Sequence, residues 1–107
     1  MLKFEELDHV SYSASDFGNG SIDLDLLVEG GSLHCTAHMK NWNDELVVDH
    51  VTVKDCVDEE EQPIDCSNAD AENVVDAAIT ANPSILDGYE RAVFDAQKLR
   101  AKMGELW

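Results

Sequence analysis

Two runs of alternating apolar residues, separated by a pair of glycines, constrain the fold of this chain more than any other feature. Ile22, Leu24, Leu26 and Val28 alternate with Asp23, Asp25 and Glu29. Leu33, Cys35, Ala37 and Met39 alternate with His34, Thr36 and His38. A period of two puts each apolar set on one face of a β-strand. Gly30-Gly31 suits a two-residue hairpin turn that needs positive φ. Placing Glu29 opposite Ser32 sets Val28 opposite Leu33, Leu26 opposite Cys35, Leu24 opposite Ala37 and Ile22 opposite Met39. On the other face Asp25 then meets Thr36, and Asp23 meets His38. A one-residue slip would turn the apolar set outward, so this register is the one expected.

Further strands flank the hairpin. One is expected over about 9–14, with Val10, Tyr12 and Ala14 on one side, followed by a turn at Asp16-Phe17-Gly18-Asn19-Gly20. Another runs over about 46–57 after a turn at Asn41-Trp42-Asn43-Asp44. Its phase changes between Leu46, Val48 and Val51, Val53, and a bulge near Asp49-His50 reconciles the two halves. The second half reads as helix. Asp58-Glu59-Glu60-Glu61-Gln62-Pro63 is a charged loop, and Ser67 or Asn68 caps a helix through about Ala81. Ala71, Val74, Val75, Ala78 and Ile79 recur at helical spacing. Asn82-Pro83 ends that helix, and Ser84 with Asp87 caps the next. The last helix carries Ile85, Tyr89, Ala92, Ala96, Leu99, Met103 and Leu106 in alternating steps of four and three, widened by Val93 and Phe94. That stripe packs on the sheet or pairs with a second copy.

A three-stranded sheet alone leaves an apolar face open, and two following helices can cover it. The expected architecture is α+β: an antiparallel three- to four-stranded meander sheet followed by two helices packed on one face. Residues 1–107 are read as a single domain.

The charge is the anomaly in composition. There are 23 Asp and Glu against 7 Lys and Arg, a net of −16. Residues 1–90 hold 21 acids against Lys3, Lys40 and Lys54, a net of −18; residues 91–107 are net +2. Such a chain repels nucleic acid and anionic lipid, and attracts basic surfaces. The densest run is Asp44, Glu45, Asp49, Asp55, Asp58, Glu59, Glu60, Glu61, Asp65, Asp70, Glu72 and Asp76, opposed within its span by Lys54 alone. Duplex DNA carries one charge per ~1.7 Å, so twelve carboxylates on one surface would match about six base pairs. Trp42, beside this run in the expected turn, either folds over the sheet edge or anchors a partner. Trp107 is expected as a lid on the last helix or as partly disordered.

No motif for catalysis emerges. His34 and His38 share a strand face, while Cys35 points the other way, so the three cannot share one metal ion. Cys56 and Cys66 are ten apart and can approach each other only by folding. The paired short spacings of zinc sites are missing. Neither Asn41-to-Glu45 nor Asp55-to-Glu61 has the EF-hand pattern. Gly30-Gly31 is flanked by Glu29, which would repel phosphate. Asp23 beside His38 reads as a surface pair rather than an acid–base dyad, and no Ser, Cys or Lys carries a nucleophile signature. No cofactor is expected, and no enzyme activity.

No stretch is apolar enough to span a membrane, and the acidic start does not resemble a signal peptide. Three cysteines without tight spacing suggest free thiols in a reducing cytoplasm. Asn19-Gly20-Ser21 fits a glycosylation pattern but reads as a turn.

In size, charge and lack of a catalytic motif the chain resembles small phage-encoded DNA mimics, among them anti-restriction and anti-CRISPR proteins. The resemblance covers no motif residue by residue. It implies a binding protein, acting in the host cytoplasm if phage-encoded. Its acidic residues and Trp42 would block the positively charged nucleic-acid channel of another protein. Two alternatives are an acidic interaction or accessory module, dimeric through the last helix, and a domain adapted to high salt.

Overall fold

The computed structural model describes the backbone of residues 2–14, 19–43 and 45–105, with side chains up to Ala101. Strands β1 (Phe4–Ala14), β2 (Gly20–Val28), β3 (Gly31–Trp42) and β4 (Glu45–Asp58) precede helices α1 (Asn68–Ala81) and α2 (Ser84–Glu105). The sheet order is β1-β2-β3-β4, with every neighbouring pair antiparallel. The fold is therefore an α+β meander followed by two helices.

The hairpin forms, but its register differs from the expected one by two residues. Val28 lies opposite Gly31, Leu26 opposite Leu33, Leu24 opposite Cys35 and Ile22 opposite Ala37. The turn is Glu29-Gly30, and of the two glycines only Gly30 takes positive φ, at 82°. A two-residue slip keeps every side chain on its face, so alternation cannot detect it. Gly31 is needed for a different reason. A Cβ there would sit 2.1 Å from the Val57 backbone oxygen on β4. Gly31→Ala is expected to cost about 1–3 kcal/mol through this overlap. It should read as a lower urea midpoint with an unchanged slope.

β1 begins at Phe4, five residues before the expected start. Its pairing with β2 skips Glu5 and Asp8. β4 skips Asp49, at the expected bulge, and also Lys54. All four skipped residues are charged, and both strands are sheet edges. Bulges and charges on edge strands discourage pairing with another sheet.

The inner sheet face and both helices share one core. Ile22, Leu24, Leu26, Val28, Leu33, Cys35, Ala37 and Met39 are buried against Ala71, Val74, Val75 and Ala78 of α1 and Ile85, Tyr89 and Val93 of α2. Ser67 caps α1. Its Oγ accepts from Asp70 N at 3.1 Å, and its own N–H donates to the Asp70 carboxylate at 3.2 Å. This reciprocal pair satisfies two free donors at the helix start. Ser84 lies within α2 as its first residue, and Ile85 N donating to Asn82 O (3.0 Å) carries the chain across from α1.

The apolar stripe of α2 packs only in part. Ile85, Tyr89 and Val93 are buried and Ala92 and Ala96 half-buried, but Leu99 is 61% exposed. Phe94 does not widen the stripe: it is 54% exposed. It lies on the far side of the helix turn from Ile85 and Tyr89. The side chains of Met103 and Leu106, the Trp107 lid and residues 15–18 of the β1–β2 turn lie outside the described residues.

Candidate acidic interface

The acidic run follows β4, the loop after it and α1. A 14-residue strand is about 45 Å long. The run is thus spread along one edge of the molecule and back over a helix, rather than gathered on one flat surface. Asp44 lies outside the described residues. Glu45 starts β4 and shares a cleft of about 300 Å³ with Leu46, Leu86 and Glu90. Asp49 sits in the bulge, 3.0 Å from both Lys40 Nζ and His50 Nδ1. The His50 and then the Lys40 hydrogen bond hold its carboxyl below the usual range. Asp55 faces solvent opposite His34.

At the far end of β4 the carboxylates converge. Asp58, Glu59 and Glu61 line a cleft of about 450 Å³ together with Glu5 of the β1 bulge, over Leu27 and Val57. Asp58 also has a structural job: its Oδ1 accepts from Glu60 N (2.8 Å) and Gln62 N (2.9 Å). These bonds fold the loop back. Glu61 supplies a positive φ of 63° there. Glu60 and Asp65 are exposed on the loop, Asp70 completes the α1 cap, and Glu72 and Asp76 are exposed one turn apart on α1.

Trp42 ends β3, paired with Glu45, instead of lying inside the turn. Its ring is 61% exposed, with Lys40 Nζ 5.3 Å from the centroid. That is cation–π distance.

Three of the eleven described carboxylates in the run therefore serve the fold: Asp49, Asp58 and Asp70. The other eight are exposed, and none makes an ion pair or side-chain hydrogen bond among the described residues. Lys54 does not offset them. Its Nζ lies 3.2 Å from Asp23 on β2, outside the run.

The outer sheet face is polar, as a half-solvated antiparallel sheet requires. The register correction rearranges its pairs. Asp25 meets His34 (3.4 Å) instead of Thr36. Asp23 accepts from the Thr36 hydroxyl (2.8 Å) instead of meeting His38. The Thr36 bond and then Lys54 hold the Asp23 carboxyl below its ordinary value. His38 bonds instead to Thr52 (2.8 Å) and stacks on His50, with centroids 4.2 Å apart and rings within 8° of parallel. Only the cross-strand register reveals this stack. Among the described residues, no three His, Cys, Asp or Glu are placed to hold a metal ion. None of the helices is long and apolar enough to cross a membrane, again among the described residues.

No protein-family model, curated protein or solved structure matches the chain.

Proposed function

We propose that the β4–α1 edge enters the positively charged nucleic-acid channel of another protein and blocks it by presenting carboxylates where phosphates would lie. The observation that carries this reading is the division of labour within the acidic run. Among the described residues, eight exposed carboxylates form no ion pair, although the chain does pair Asp49 with Lys40 and Asp23 with Lys54. Carboxylates serving the fold alone are expected to acquire such partners, because unpaired like charges oppose compactness. Exposed Trp42 at one end of β4 and Leu27 in the cleft at the other supply apolar contact beside the charge. In its narrower form, the proposal is a phage-encoded inhibitor of a CRISPR or restriction complex, acting in the host cytoplasm. Its test is capture of a nucleic-acid-binding protein on the immobilised chain. Duplex DNA added at constant salt should release that protein; a captured protein that DNA cannot displace contradicts the reading.

The exposed Leu99 and Phe94 on α2 favour a second reading, an accessory module that dimerises through this helix. Sedimentation at two concentrations tests it. A dimer that Leu99→Ser converts to monomer supports this reading, and a monomer at both concentrations contradicts it.

A further inference from the structure

Nine residues separate Cys56 from Cys66, and the loop after β4 folds back to bring them near each other. Asp58 N donates to Gln62 O (2.8 Å), and Ile64 N donates to Cys56 O (2.9 Å). Val57 and Pro63 form a bridge between these bonds. The segment thus lies antiparallel along the end of β4. Further on, Val53 N donates to Asn68 Oδ1 (3.1 Å), which fixes the start of α1 to the same strand. Cys66 is held between these two anchors. It packs against the core cluster that contains Cys56, close enough for each thiol to perturb the other's ionisation, and its Sγ lies 3.5 Å from Ser67 O. Cys56 is 6% exposed and Cys66 half-buried, while Cys35 on β3 is 1% exposed.

We propose that Cys56 and Cys66 form a redox-active pair, closed to a disulfide by small-molecule disulfides such as oxidised glutathione, with Cys35 left as a thiol. Cys66 is the entry point because it alone of the three is not buried. Its thiolate attacks one sulfur of the oxidant, forming a mixed disulfide and releasing one glutathione thiolate, which takes up a proton. Cys56, held beside it by the folded-back loop, loses its proton and displaces the second glutathione from Cys66. The products are one protein disulfide and two glutathione thiols, so two electrons pass from protein to oxidant. The new bond closes a loop holding Asp58, Glu59, Glu60, Glu61 and Asp65, and so restrains five carboxylates of the run.

The reaction is slow at neutral pH. Burial, then the neighbouring Cys56 and the Asp70 charge, push the Cys66 thiol up to about 11. Burial, then the charges of Cys66, Asp25 and Asp23, push the Cys35 thiol up to about 12. Cys56 is raised by burial and by Asp55. Only the thiolate attacks, so the rate rises about tenfold per pH unit below that range.

The test incubates the full chain with oxidised glutathione in mildly alkaline buffer. The expected mass falls by two hydrogens, peptide mapping joins residues 56 and 66, and alkylation after denaturation labels one thiol, on Cys35. Cys66→Ser should abolish the linkage, while Cys35→Ser should preserve it. Three outcomes overturn the proposal: a glutathione adduct that persists on Cys66, a bond that includes Cys35, or three alkylatable thiols after a time in which the unfolded chain oxidises fully.

Discussion

Replacing Glu59, Glu60, Asp65, Glu72 and Asp76 together by lysine is expected to abolish partner binding and leave the fold intact. The five side chains are exposed, and none performs the roles of Asp49, Asp58 or Asp70. Exposed substitutions away from such features move stability by about 0.5 kcal/mol or less. The net charge changes from −16 to about −6. On the binding side, each reversal both removes an attraction and creates a repulsion against a basic channel. Like charges brought together at an interface cost several kcal/mol, and each ~1.4 kcal/mol is tenfold in affinity. The expected loss is therefore at least about 10³-fold, with an unchanged circular dichroism spectrum and urea midpoint. Retained affinity in a folded variant would remove the acidic edge from the account. The salt dependence of the unaltered chain should agree. A surface replacing several phosphates should lose orders of magnitude in affinity, about 10³-fold or more, between ~50 and ~200 mM salt.

The largest expected effect on stability lies at Tyr89. This ring is fully buried where α2 meets β1, with its centroid 6.4 Å from that of Tyr12. The Tyr12 hydroxyl donates to Ile85 O at 2.9 Å, so the two tyrosines tie α2 to the strand. Tyr89→Ala should cost about 3–5 kcal/mol. A domain of this size has about 5–15 kcal/mol in total, so much of the chain would unfold near body temperature. Phe94→Ala, on the far side of the same helix, should cost no more than about 0.5 kcal/mol, because that ring is already in solvent. Urea unfolding of both variants decides the matter. Comparable losses would mean that α2 is rotated to bury Phe94.

This pair of aromatics also marks the limit of what helical spacing encodes. Helical spacing places Ile85, Tyr89 and Val93 on the core side, where they lie, and residue types narrow the α1 cap to Ser67 or Asn68, of which the structure uses Ser67. The end of the packed stripe was not legible, because Leu99 fits the pattern after the helix has left the core. The first five residues of β1 are not legible in the sequence, because bulges at Glu5 and Asp8 break a period of two twice in that stretch. The bulge at Asp49 could be inferred because valines on both sides of it change phase. The hairpin register was hidden from alternation, since either two-residue choice buries the same side chains. Gly31, read as a turn residue, is a site of close approach to Val57.

The acidic run could be read as composition but not as a surface. Nothing in the sequence separates Asp58, which bonds backbone N–H groups, from Glu59, which does not. Nor does it reveal that Lys54 turns toward Asp23. That contact follows from the bulge at Lys54 and from the pairing of β2, β3 and β4.

The most direct test of phosphate mimicry is mutual exclusion. A DNA-binding partner captured by the chain is titrated with labelled duplex DNA at fixed salt and several concentrations of this protein. The account predicts that the apparent Kd for DNA rises in proportion to the added chain, with no complex containing all three components. A ternary complex, or a DNA affinity indifferent to the chain, would contradict it.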